Sequence, residues 1–95
     1  MVSSINSPKN LDQLKNEYDT IAQKANNYKR ANMIGNYPID ADITYLKLVR
    51  TKFLAFMAYK KAEVGESRFN KLFAPVYNKK LADVEEYLRE RGVKV

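Results

Sequence analysis

A chain of 95 residues with 45% hydrophobic and 29% charged side chains, and with 17 basic against 11 acidic groups for a net charge of +6, has room for one folded domain with a modest core. This balance lies well away from the low-hydrophobicity, high-charge regime of disordered chains. The absence of cysteine and histidine excludes disulfides, thiolate nucleophiles, imidazole-based triads and Cys/His zinc sites.

The N-terminal MVSSINSPKN has no basic segment followed by an apolar stretch, so no secretory signal is expected and an intracellular, cytoplasmic protein is inferred. Glycine and proline then punctuate the chain at only a few places, Pro8, Gly35, Pro38, Gly65, Pro75 and Gly92. Ser7 followed by Pro8 reads as an N-cap with proline at the first helical position, and Gly35 as the stop, which predicts a first helix over about residues 8–34. Within it Leu11, Leu14, Tyr18, Ile21, Ala25 and Tyr28 alternate spacings of three and four. That stripe lies on one side of a long helix and seeks a nearly parallel or antiparallel neighbour.

After the connector Gly35-Asn36-Tyr37-Pro38, either Asp40 or Asp42 can cap a second helix, predicted over about 40–64 and stopped by Gly65. Glu66-Ser67 offers the next cap, and a third helix over about 67–91 carries Arg89 and Arg91 in its last turn, where cations suit the dipole. Three segments of about 25 residues, on the order of 37 Å each at 1.5 Å per residue, joined by short connectors, predict an all-α, antiparallel up-down-up three-helix bundle forming a single helical domain over 1–95.

Pro75 complicates the third segment, because an interior proline removes one backbone hydrogen bond and costs about 3 kcal/mol. The apolar stripe before it (Phe69, Leu72, Phe73, Val76) and the stripe after it (Tyr77, Leu81, Val84, Leu88) are displaced by roughly 70° on an ideal helix. A kink near Pro75 realigns them. The rival division runs the second helix through Gly65 and starts the third at Pro75.

The run FLAFMAYKK, Phe53 to Lys61, places seven apolar or aromatic residues consecutively on the second helix. Lys52, Lys60 and Lys61 bracket it too closely for a membrane span, which needs roughly 20 apolar residues. Ile43, Leu46, Val49, Phe53, Phe56, Met57 and Val64 supply a core face, and Tyr45, Leu54 and Tyr59 widen the apolar arc to about 220°, twice the usual stripe. Either this helix is the middle one and packs against both neighbours, or part of the arc receives a further helix from a partner or from a second copy of the chain.

Charge is concentrated centrally, with nine basic and two acidic residues between positions 44 and 82. The basic excess can attract nucleic acid, an anionic membrane surface or an acidic peptide. Helix-dipole preference accounts for much of it, since Lys29, Arg30, Lys60, Lys61, Arg89 and Arg91 fall in last turns. No helix-turn-helix with short helices, zinc finger or aromatic RNA-binding strand is recognisable. Nor is there a phosphate-cradling glycine loop, a di-metal glutamate pair or a base beside any serine or threonine, so neither an enzyme nor a cofactor is expected.

Tyr18-Asp19-Thr20-Ile21-Ala22-Gln23-Lys24-Ala25, then Gly35-Asn36-Tyr37, then Ala41 and Tyr45 four residues apart, resembles the MIT domain, the microtubule-interacting and transport module. The resemblance covers roughly residues 11 to 91, with its motifs between 18 and 45. It implies a three-helix adaptor that binds tails of ESCRT-III-like filament proteins in an inter-helix groove, with Ala22, Ala25, Ala41 and Tyr45 as close-packing residues. The longer first helix, Pro38-Ile39 in the connector and Pro75 in the third helix depart from the family's form.

The expected function is therefore a non-enzymatic protein-interaction module. Its docking surface is placed in a groove between helices two and three, with Phe56, Tyr59, Val76, Tyr77, Leu81 and Val84 in apolar contact and Lys52, Lys60 and Lys80 steering an acidic partner. Non-specific nucleic-acid binding and self-association into a homodimer are the alternatives.

Overall fold

The computed structural model describes residues 9–95, so the expected cap at Ser7 and Pro8 lies outside the described residues. It is all-α, with α1 at Leu11–Asn32, α2 at Ile39–Val64, α3 at Glu66–Leu72 and α4 at Ala74–Glu90. Among the described residues four helices thus stand where three were expected, because the third is divided at Phe73.

Local chemistry explains each boundary. The side chain of Asn10 accepts from the Gln13 backbone N–H at 2.8 Å while the Gln13 side chain accepts from the Asn10 N–H at 3.0 Å, a reciprocal capping box that starts α1 at Leu11 rather than near residue 8. Pro38, in extended conformation, caps α2 without a side-chain bond, and the Ala41 N–H reaches its carbonyl at 3.0 Å. Asp40 and Asp42, expected as caps, lie inside the first turn instead, where their charge still complements the helix dipole. The cap expected from Glu66-Ser67 is likewise absent: α3 begins at Glu66, directly after Gly65.

Gly65 takes φ 92° and ψ 156°, a conformation essentially closed to side chains with a Cβ, and its N–H bonds the Lys61 carbonyl at 3.0 Å. That ends α2 and turns the chain back on itself. Where a kink near Pro75 was expected, the helix is divided. Pro75 has no N–H to offer the Lys71 carbonyl, Phe73 opens to φ −112°, and the backbone bonds Phe73 to Phe69 (2.9 Å) and Tyr77 to Phe73 (3.0 Å) continue on either side. At the far end Val93 N–H bonds Leu88 O at 2.9 Å and Gly92 N–H bonds Arg89 O at 3.0 Å, with Gly92 at φ 85°. This is a Schellman closure, and Val93 completes it by packing on the cluster that holds Leu88.

Antiparallel pairing follows from the contacts. Tyr18 meets Phe56 and Tyr59, and further along Lys29 stands over Tyr45, so α1 and α2 run in opposite directions. On the other flank Tyr77 meets Phe53 and Phe56, Glu85 meets Arg50, and Arg91 meets Asp42, so α4 also opposes α2. The Arg50 Nε donates to Glu85 Oε2 at 2.8 Å. Arg91 Nε lies 2.8 Å from Asp42 Oδ2 without aiming its N–H there, so that contact is an ion pair rather than a hydrogen bond.

α2 is the hub: α1 packs on it from one side and α3 and α4 from the other, whereas α1 makes no backbone approach to α3 or α4. The three legs form an open V around α2 instead of a closed triangle. The molecule measures 49 × 30 × 22 Å, and its radius of gyration, 15.5 Å, exceeds the roughly 12 Å of a compact chain of this length. The core is correspondingly thin. Val49, Val84 and Leu88 form its centre between α2 and α4, with Phe69 buried under α3 and Ala25 and Ala41 at close approaches.

Because space around the Gly65 Cα is open and only its dihedral angles forbid a side chain, Gly65→Ala is expected to destabilise the fold by about 1–3 kcal/mol, read as a lowered urea midpoint at unchanged slope.

Candidate docking surface

The residue that joins the two flanks is Phe56. Its ring centroid lies 5.2 Å from Tyr18 on α1, 4.6 Å from Tyr77 on α4 and 6.3 Å from Phe73 at the α3–α4 break. Tyr59 stacks on Tyr18 at 6.5 Å, Phe53 meets Tyr77 edge-on at 6.1 Å, and Phe73 stacks on Phe69 at 6.1 Å. Seven rings thus run continuously from α1 across α2 to α3 and α4, within the range where offset and edge contacts add about 0.5–1.5 kcal/mol per pair beyond area burial. Spacing explains the reach. Phe53 and Phe56 flank the α4 seam three residues apart, and Phe56 and Tyr59 turn the next step towards α1.

Tyr45, three turns before Phe56 on the same line of α2, plays a similar part. It carries the Lys29 ammonium of α1 5.6 Å above its ring and packs against the Val49, Val84 and Leu88 cluster on the α4 side. Tyr45, Lys52, Phe56 and Tyr59 are separated by 7, 4 and 3 residues and are all half-buried. α1 and α4 make no close backbone approach to each other, and these four residues line the strip of α2 between the two seams, called the trough below.

The apolar run therefore faces both neighbours without being sealed by either. Phe53 and Phe56 reach α4, Phe56 and Tyr59 reach α1, Ala55 and Ala58 line concavities against α1, and Leu54 stands 41% exposed.

The nine expected site residues are not brought together in one groove. The seam between α2 and α4 is closed by Val49, Val84, Phe53 and Tyr77, and Val84 is core, 8% exposed. Tyr77 and Leu81, half-buried on one face of α4, and Phe56, Tyr59 and Lys52 on α2 border the trough. Val76 and Lys80 stand exposed on the outer side of α4. Missing from the expected set are Tyr18, Lys29 and Tyr45. The signal for Tyr45 was its place eleven residues before Phe56, which keeps it on the same side of the helix.

Lys60 is not a free steering charge. Its ammonium bonds Glu63 Oε1 at 2.6 Å and sits 5.2 to 5.8 Å from the rings of Tyr59, Phe56 and Phe73. The bond to Glu63 holds the Lys60 pKa above its ordinary value. Lys60, together with the Tyr59 hydroxyl that donates to Oε2 at 3.1 Å, holds the Glu63 carboxyl below its own. Lys52, by contrast, has no carboxylate partner among the described residues and lies 5.7 Å from the Phe53 ring.

Among the described residues there is no group of acidic side chains able to hold a metal ion and no helix long and apolar enough to cross a membrane. No protein-family model, curated protein or solved structure matches the chain.

Two outcomes follow from the ring chain and its charged partners. Phe56→Ala is expected to cost about 2–4 kcal/mol in urea unfolding, below the full range for a buried phenylalanine because the residue is not fully enclosed, while Leu54→Ala changes stability by less than about 0.5 kcal/mol. A carboxyl whose folded pKa is lowered contributes stability above its unfolded pKa and loses it as pH falls through the folded value. The stability difference between the native chain and Glu63→Gln should therefore be constant near neutrality and shrink below about pH 4.5, measured as urea midpoints across an acid series.

Proposed function

We propose that the protein is a non-enzymatic interaction module that receives an acidic helical or extended peptide in the trough between α1 and α4. The observation that carries this reading is that both helices pack on α2 and make no close backbone approach to each other, while Tyr45, Lys52, Phe56 and Tyr59 stay half-buried. Half-buried tyrosines with an unpaired lysine are suited to a peptide that brings apolar anchors and carboxylates, because tyrosine supplies contact area with a polar tip and lysine supplies attraction at a distance. A helix laid along the trough takes the place of a fourth bundle member, the helix-in-groove mode of recognition.

On this reading the three helical legs act as an MIT-like three-helix module, and the resemblance of Tyr18–Ala25, Gly35–Tyr37, Ala41 and Tyr45 to that family points to tails of ESCRT-III-like filament proteins as the ligand class. The burial of Ala25 and Ala41, at 1% and 6% exposure, supports the close helix approach that such a module needs. The departures at Pro38, Ile39 and Pro75 leave the trough floor untouched, since none lies on it.

The test is a titration of the isotope-labelled chain with synthetic ESCRT-III-type tail peptides, followed by amide shifts. Shifts concentrated at Tyr18, Tyr45, Lys52 and Tyr59, with affinity about fivefold to tenfold weaker in Lys52→Glu, are the expected result. Shifts confined to other surfaces, or light scattering that shows a dimer with these residues at its interface, would overturn the assignment.

A further inference from the structure

A second surface stands apart from the trough. Arg68, Lys71 and Leu72 at the end of α3 and Val76, Lys79 and Lys80 at the start of α4 lie on the outer side of the third leg, on either side of the break at Phe73. Phe69, Phe73 and Tyr77 take the inward side, and all six of these residues are exposed, with Leu72 at 61% and Val76 at 52%. The face is thus amphipathic in reverse: two apolar side chains stand in water, framed by four cations. Among the described residues, Lys79 alone of the four cations has a carboxylate partner, Asp83 at 3.5 Å, and the nearby Glu63 and Glu66 are committed to Lys60 and Lys61.

The geometry points to an anionic lipid bilayer surface as the occupant of this face. Phosphate-driven attraction to nucleic acid explains the cations but gives Leu72 and Val76 nothing, and the six residues include no ring on which a base could stack. A lipid interface uses both components. Lysine and arginine extend apolar stems and keep their charges among acidic headgroups, while Leu72 and Val76 enter the boundary of the acyl region. Two apolar side chains make this a reversible, charge-dependent association along the surface.

Sedimentation of the full 95-residue chain with phosphatidylcholine vesicles, alone or with about 30% phosphatidylserine, tests the inference. Binding is expected only with the anionic vesicles and should fall as salt is raised. Lys71→Gln/Lys80→Gln is expected to weaken it about 25-fold, about fivefold for each cation removed. Leu72→Ser/Val76→Ser should also weaken it several-fold at unchanged charge, whereas Lys24→Gln/Lys47→Gln, exposed cations on α1 and α2, should leave it intact. Far-UV circular dichroism checks that each variant keeps its helix content. No binding, equal binding to both vesicle types, indifference to Leu72→Ser/Val76→Ser, or loss of vesicle binding to competing duplex DNA that ignores that variant would each overturn the inference. None of these variants alters Tyr45, Lys52, Phe56 or Tyr59, so failure here is distinct from failure of peptide docking in the trough.

Discussion

The fold depends on the contact that Phe56 makes with three rings from two different flanks. α1 and α4 make no close backbone approach to each other, and both pack on α2. Phe56 is the point at which Tyr18 on one side and Tyr77 and Phe73 on the other are tied into one apolar body. A small core makes such a residue more consequential, because few other buried side chains share the load: among the described residues six hydrophobic side chains are buried, and Leu88 is the large one that is completely enclosed.

Charge complements this packing by fixing direction and register more than by adding stability. Arg50 with Glu85 and Asp42 with Arg91 pair successive levels of α2 and α4, and reversing or sliding either helix separates both at once. The pairs are only partly buried, so each is worth modest energy. Between α1 and α2 no carboxylate–amine pair performs the same task among the described residues, and Lys29 above the Tyr45 ring takes that position. The two flanks of α2 therefore differ: both carry aromatic contacts, and the α4 side adds ion pairs and an aliphatic core that the α1 side lacks.

The functional reading rests on that asymmetry. Along the third leg the kink at Pro75 separates an inward face, which supplies Phe69, Phe73 and Tyr77 to the ring chain, from an outward face that carries cations around Leu72 and Val76. Opposite it, the gap between α1 and α4 leaves the tyrosine line of α2 half-covered. The central excess of basic residues noted in the sequence is thus divided: Arg50, Lys60 and Lys61 are bound to carboxylates of the chain, and Arg68, Lys71 and Lys80 face solvent.

Periodicity and punctuation in the sequence determined the helical class, the stripe on α1, the stops at Gly65 and Gly92 and an irregularity near Pro75, though as a kink and not as the division found at Phe73, because these follow from backbone geometry and short-range hydrogen bonding. They also showed that the second helix has more apolar circumference than one neighbour can cover. Caps competed locally and were less legible: Asn10 with Gln13 won over an earlier start, and Pro38 displaced Asp40 and Asp42. What only the tertiary structure decided was how the legs are arranged around α2. Whether α1 closes on α4 depends on side chains that meet across three helices, and no spacing within one helix encodes that angle. This is why Val84 belongs to the core, why Val76 and Lys80 lie outside the expected groove, and why Tyr18 and Tyr45 border the open one.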